Sequence, residues 1–207
     1  SITATKNKVL QMFDVATSIL KEHKVPEGSF EMQIAVYSNY DVDAAHILEA
    51  STWEVRPVGL QAFISGIRVM GGMGNEAIEV GLAHALKEHR NHPLRQVIII
   101  GDAAPNEPHV VQNKGRYGHS DAHWQNSVWG DVGHYQQYVA ALAQEKIPVH
   151  CFWLSHAKRA EQSFSEIAQA TGGTCQPLVL RNAEEAANLA KLVTLAVVED
   201  VSKIHRL

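Results

Sequence analysis

The feature that most constrains the fold is a run of four branched apolar residues, Val97 to Ile100, in the stretch QVIIIGDAAPN. A run without polar alternation is typical of a strand buried on both faces, as in parallel sheets covered by helices. We therefore expect this strand in the interior of such a sheet. Asp102 follows after one glycine, at the rim where α/β proteins collect ligands. An aspartate there is equally well explained as a turn cap.

Helical and strand-like patterns alternate along the rest of the chain. This alternation predicts an α/β fold: a doubly wound, Rossmann-like, mostly parallel sheet with helices on both faces. The length of 207 residues fits a single domain over 1–207. Helical spacing predicts helices over 4–23, 57–70, 75–89, 133–144 and 159–171 and from 183 onward. Strand-like runs lie at 30–38, 46–51, 96–101, 148–154 and 175–180, and 103–131 is predicted to be a long loop.

Composition excludes several partner classes. The net charge is -4 and no basic patch is present, which argues against nucleic acid as a partner. No apolar stretch reaches the length of a membrane span, so we expect a soluble chain without membrane insertion. Two cysteines, Cys151 and Cys175, lie in strand-like runs and are expected to be unpaired. Unpaired cysteines favour a reducing, cytoplasmic or intracellular compartment.

Four segments, taken in order, resemble the von Willebrand factor type A domain over nearly the whole chain. They are AVYSNYD, GGMGNEAIEVGL, IIIGDAAPN and EIAQATGG. The second segment carries a glutamate after its glycines, which resembles the branch found in integrin β subunits and in domains associated with α-kinases. More familiar members have a threonine there.

The resemblance implies a metal-ion-dependent adhesion site at the carboxyl rim of the sheet. Asp102 matches its third loop and Glu76 its acidic second loop, with Asn75 as a weaker match. The resemblance implies magnesium, with manganese or calcium as alternatives, since such hard cations take oxygen ligands. A carboxylate from a partner protein would complete the shell.

The chain departs from this family at its start, where Ser1 is followed directly by a helix. The first strand and the Asp-x-Ser-x-Ser run that should follow it are expected to be missing or curtailed. Ser1, alone or with Thr3, is the remnant of that run and a candidate metal ligand. Asp200 and Ser202 imitate it, but they follow a helical pattern. A cage short of one carboxylate holds a hydrated ion weakly, so the site can be empty in this chain.

The loop 103–131 is long enough to carry function by length alone. His119 and His123 have a zinc-like spacing, but the cysteines that complete structural zinc sites are absent nearby. Trp124 and Trp129 are expected either to contact a partner or to pin the loop to the core. A partner surface would combine the histidines, the tryptophans and Asn75 with Tyr40 and Asp41 from the first loop.

These observations favour a non-enzymatic protein-binding module, an adhesion or scaffold domain that binds its ligand through a divalent ion. We expect it to belong to a larger polypeptide or assembly. One alternative is a degenerate, metal-free scaffold. A second alternative is a hydrolase or phosphotransferase, although the sequence has no Walker-type loop and no Gly-x-Ser-x-Gly elbow.

Overall fold

The computed structural model describes residues 31–68, 70–154 and 158–178, and isolated positions between 18 and 28. The helix expected over 4–23 lies almost entirely outside the described residues, and the helix expected from 183 onward lies wholly outside them. Ser1, Thr3, Asp200 and Ser202 also lie outside. None of the helices within the described part is both long enough and apolar enough to cross a membrane.

Most of the expected elements are present, and most of these have shorter bounds than predicted. The strands are β1 (Ala35–Tyr37), β2 (Leu48–Ala50), β3 (Val97–Gly101), β4 (Val149–Leu154) and β5 (Cys175–Leu178). The helices are α1 (Pro57–Gly66), α2 (Ile78–His89), α3 (Pro108–Gln112), α4 (Asp121–Gln125), α5 (Tyr135–Gln144) and α6 (Lys158–Thr171), with a 3₁₀ helix at Lys114–Arg116. Helices and strands alternate as predicted, and the fold is of the α/β class.

The strands form two sheets among the described residues, one of order β1-β2 and one of order β3-β4-β5. β3 and β4 are parallel, in a register that runs from Val97 opposite Val149 to Gly101 opposite Trp153. The expectation of β3 in the sheet interior is therefore wrong for the described residues, because β4 has the neighbour on each side. Burial agrees, since only Ile99 of β3 is buried whereas four residues of β4 are.

Contacts divide the chain into two compact units. The first contains residues 1–34, 50–69 and 178–207, and the second contains 35–49 and 70–177. In the first unit, Met32 and Glu54 form an antiparallel bridge, and Leu60 and Ile64 of α1 are buried. In the second unit lie all the rim residues that the sequence indicates and the structure describes. The single-domain prediction stays a prediction.

The second unit has two apolar clusters. One lies between the sheet and helices α2, α5 and α6, and includes Ile99, Cys151 and Phe164. The other lies beneath the loops at the rim and includes Tyr40, Ile47 and Trp124. Cys151 and Cys175 are both free, as predicted. The second cluster gives the rim loops an apolar base.

The segment 103–131 is more regular than the predicted long loop. It contains α3, the 3₁₀ helix and α4. Proline stands in the first turn of α3, where its missing N–H costs no hydrogen bond. Ser120 caps α4, and its side chain accepts a hydrogen bond from the backbone N–H of His123. Helices of five residues are too short to show periodicity, which is why the sequence pattern did not reveal them.

Candidate functional site

A buried polar network holds the rim loops in place. Tyr40 Oη and Asn106 Nδ2 both donate to Glu79 Oε1, over 2.8 and 3.1 Å. Asn39 and Asn106 exchange amide hydrogen bonds of 2.7 and 3.2 Å. Tyr40 and Glu79 are fully buried and the two asparagines nearly so. These hydrogen bonds fix the loop after β1, the start of α2 and the loop after β3 relative to one another. Only Glu79 Oε1 is used, since Glu79 Oε2 is buried without a hydrogen-bond partner among the described residues.

Lys114 balances the charge of this network. Its ammonium donates to the carbonyls of Trp129, Gly130 and Val132 at 2.6 to 3.1 Å. Burial lowers the pKa of Lys114, while the charge of Glu79 opposes that shift. Burial raises the pKa of Glu79, and its hydrogen bonds and Lys114 oppose the rise. A buried acid is thus compensated by a nearby cation rather than left alone.

Backbone hydrogen bonds join the three loops as well. The N–H of Glu76 donates to Ala104 O at 3.0 Å, and Glu76 forms a parallel bridge with Pro105. The N–H of Ala77 donates to Ser38 O at 3.1 Å. Glu76 therefore lies between the loop after β1 and the loop that carries Asp102. The second and third loops of the expected site are thus joined by backbone hydrogen bonds.

Three carboxylates lie at this rim, and the charges of Asp41 and Asp102 both act on Glu76. Burial raises the pKa of Glu76, and the charges of Asp102 and then Asp41 add to the rise, which brings the pKa to about 7. Asp102 is exposed, whereas Asp41 and Glu76 are half-buried. The Gly72 N–H donates to Asp41 Oδ2 at 2.6 Å. Like charges gathered in one place favour either a proton or a cation.

Two of the rim oxygens favour a cation. Asp41 Oδ1 and Glu76 Oε2 are buried and have no hydrogen-bond donor among the described residues. A buried anionic oxygen without a donor is costly, and a hard divalent ion would satisfy it. The three carboxylates do not, however, form a closed cage among the described residues, because at least one pair of their oxygens lies beyond 4.8 Å. The donors are thus of the type that magnesium takes, in an open arrangement.

A second group of metal-ligating side chains lies in the same unit. Asp43, His119 and His123 have ligand atoms within 4.8 Å of one another, and no other three described His, Cys, Asp or Glu side chains do. His123 Nε2 lies 3.7 Å from Asp43 Oδ2 and accepts a hydrogen bond from the Ala44 N–H at 3.2 Å. The two imidazole rings stack, with their centroids 4.5 Å apart. The sequence indicated both histidines but did not indicate Asp43.

The remaining candidates divide between core and loop. Tyr40 is fully buried and Trp124 is 2% exposed, with their rings in edge contact at 5.2 Å. Trp129 packs partly buried against the same cluster. Asn75 accepts a 2.5 Å hydrogen bond from Asn39 at its backbone carbonyl. Tyr40 and Trp124 are therefore core residues in this structure, which leaves little of either side chain for a partner to contact.

Four residues of the buried network were not among the site residues predicted from the sequence: Asn39, Glu79, Asn106 and Lys114. Glu79 carries the one available signal, since an acid stands among apolar residues in the first turn of α2. That position is also where an exposed acid stabilises a helix N-terminus. The pattern alone therefore does not separate a buried network acid from an ordinary surface acid.

Comparison of the sequence with models of known protein families found no match, and neither did comparison with curated proteins.

Proposed function

We propose that this chain is a non-catalytic protein-binding module whose ligand contact is made through a divalent cation at the rim. The cation would be held by Glu76 and Asp102, with Asp41 beside them. Magnesium is the proposed ion, and manganese and calcium are alternatives with the same preference for oxygen. Ser1, the remaining ligand that the family resemblance implies, lies outside the described residues.

One observation carries the proposal: Asp41 Oδ1 and Glu76 Oε2 are buried at the rim without a donor. The network of Tyr40, Glu79 and the two asparagines supports these loops from below, and rigid loops are what a metal site needs. The open arrangement of the three acids leaves room for a ligand from outside. A carboxylate of a partner protein has the chemistry to fill that position.

The proposal is tested by magnesium binding. Isothermal titration of the chain with magnesium chloride should show one site, weakened at least about tenfold in Asp102→Ala and in Glu76→Gln. Glu161→Gln is the matched control, since Glu161 is an exposed acid on α6. Competition with manganese gives a second readout, in which binding is measured as the loss of the electron paramagnetic resonance signal of the free manganese ion. Equal magnesium affinity in the wild type and Asp102→Ala would remove Asp102 from the site.

Partner binding is tested separately. Affinity capture by the immobilised chain is compared in magnesium and in a chelator, with Asp102→Ala and Glu161→Gln as parallel baits. Metal-dependent binding predicts partners retained by wild type and Glu161→Gln in magnesium, and lost with the chelator or with Asp102→Ala. The same partners in every lane would favour the metal-free scaffold. No described feature favours the hydrolase or phosphotransferase alternative.

A further inference from the structure

We propose that Asp43, His119 and His123 form a second metal site, specific for a transition metal ion of the zinc class and separate from the rim carboxylates. The site would join the loop after β1, which carries Asp43, to the segment around α4, which carries both histidines. Neither the family resemblance nor the proposed magnesium site requires these residues. The inference therefore stands independently of the function proposed above.

The donor set selects the ion. Imidazole nitrogen is a ligand for zinc, copper, nickel and iron, whereas magnesium and calcium take oxygen. Two histidines and one carboxylate, with a fourth position open to water, are the composition of many zinc sites that keep an open position. The rim offers carboxylates without imidazole. Ligand chemistry would thus direct zinc to the site with the two histidines and magnesium to the rim carboxylates.

The atoms are close to the distances that zinc requires. Zinc–ligand bonds of about 2.0–2.1 Å in a tetrahedron place neighbouring ligand atoms about 3.3 Å apart. Asp43 Oδ2 and His123 Nε2 are already 3.7 Å apart, and all three ligand atoms lie within 4.8 Å. The largest adjustment is thus about 1.5 Å. Asp43 and His123 are partly exposed, with 47% and 30% of their side chains accessible, so solvent and side-chain rotation are both available.

Hydrogen bonds orient two of the proposed ligands, His123 and Asp43. His123 Nε2 accepts from the Ala44 N–H, so its lone pair points toward the loop that carries Asp43. Asp43 Oδ1 accepts from the Ala45 N–H at 2.9 Å, which leaves Oδ2 for the ion. An ion bound at His123 Nε2 would replace the Ala44 N–H as the partner of that lone pair.

The core beneath the histidines gives the site a fixed base. His123 and His119 both contact the buried Trp124 ring edge-on, with centroids 5.4 and 6.3 Å apart. Ser120, the residue after His119, caps α4 by accepting a hydrogen bond from the N–H of His123 within that helix. Trp124 also packs against Tyr40 of the first loop. The metal would add a bond across two loops that already share one apolar cluster.

The test uses the full chain in a Cys175→Ser background, because a half-buried free thiol is a soft ligand that would compete for zinc. Zinc chloride is titrated against a chromophoric chelator to give stoichiometry and affinity. We expect one zinc per chain, weakened at least about tenfold by His119→Gln, His123→Gln or Asp43→Asn. His109→Gln should bind as the parent does, since His109 is an exposed histidine on α3. Glu76→Gln should also keep zinc, which separates this site from the rim.

Cobalt substitution supplies the second readout. A cobalt ion held by two imidazoles and a carboxylate gives visible absorption bands that are absent from hexa-aqua cobalt, and the bands should disappear in Asp43→Asn. Asp43 is exposed, so that variant keeps the proposal testable if a histidine variant fails to fold. Equal zinc affinity in all variants, or no zinc binding at micromolar concentration by the folded parent, would overturn the proposal. Zinc lost in Glu76→Gln but retained in His123→Gln would assign the ion to the rim and overturn it as well.

Discussion

At the scale of single residues, Glu76 is a rim acid whose protonation changes near neutral pH. Its pKa is raised from the ordinary 4.5 to about 7 by burial, with Asp102 and Asp41 contributing. The folded state therefore holds the proton more tightly than the unfolded chain does. The contribution of protonated Glu76 to the free energy of unfolding is fully present below about pH 4.5 and is lost as the pH rises through about 7. A bound cation would compensate the charge in the upper part of this range.

We therefore expect the metal-free protein to lose stability between pH 5 and pH 8 through this residue. Glu76→Gln, which removes the charge, should be more stable than wild type at pH 8 in a chelator and nearly equal at pH 5. Urea unfolding at both pH values measures the difference, with Glu161→Gln as the control. A wild type that is as stable as Glu76→Gln at pH 8 without metal would show that the charge of Glu76 is already compensated.

At the scale of elements, the connection between α6 and β5 depends on two adjacent glycines that act differently. Gly172 has a φ of 75°, which an L side chain adopts with strain, but a Cβ there meets nothing within 4 Å. Gly173 has no such φ, yet a Cβ there would lie 2.0 Å from Val149 O, at the start of β4. Gly172 ends the helix by conformation, whereas Gly173 lets the backbone approach the central strand.

Alanine at each position separates the two effects. Gly172→Ala should cost about 1–2 kcal/mol, the cost of a left-handed conformation for a residue with a side chain. Gly173→Ala should cost about 3 kcal/mol or more, because rigid backbone rather than a flexible side chain must move. Urea unfolding midpoints provide the comparison. A smaller loss for Gly173→Ala than for Gly172→Ala would mean that β4 moves aside easily.

At the scale of the whole molecule, the outer edge of β3 is informative. In a strand, successive N–H groups point to opposite sides, and Val97 N–H donates to Pro148 O beside β4. The N–H of Ile99 also points toward β4, whereas the N–H groups of Ile98 and Ile100 point to the other side of β3. No strand pairs with that side among the described residues. A strand on that side is what the resemblance to the von Willebrand type A domain implies.

Backbone amide hydrogen exchange should therefore be faster at Ile98 and Ile100 than at Val97 and Ile99. The amides of β4, which has a neighbour on each side, should exchange slowest of the three strands. Measurement residue by residue with NMR is needed, since the predicted pattern alternates. Equal protection of all four β3 amides would show that another strand covers the edge.

Much of the molecule follows from the sequence alone. The apolar runs at 97–100 and 149–154 and the helical spacing between them determined the α/β class, because periodicity records which faces are buried. Asp102 was predicted at a rim because it follows a strand-like apolar run, and the resemblance to the von Willebrand factor type A domain implied that Glu76 lies at the same rim. The structure describes their loops joined through Ala104 and Pro105.

Tertiary structure decided the contacts between residues that lie far apart in the sequence. The pairing of Asn39 with Asn106 and of Tyr40 with Glu79 depends on packing that no local pattern records. The same holds for Asp43, which joins His119 and His123 only because two loops share the cluster around Trp124. The position of β3 at the edge of the sheet formed by the described strands was likewise decided by strand pairing, since apolar composition sets how much of a strand is buried but not which neighbours bury it.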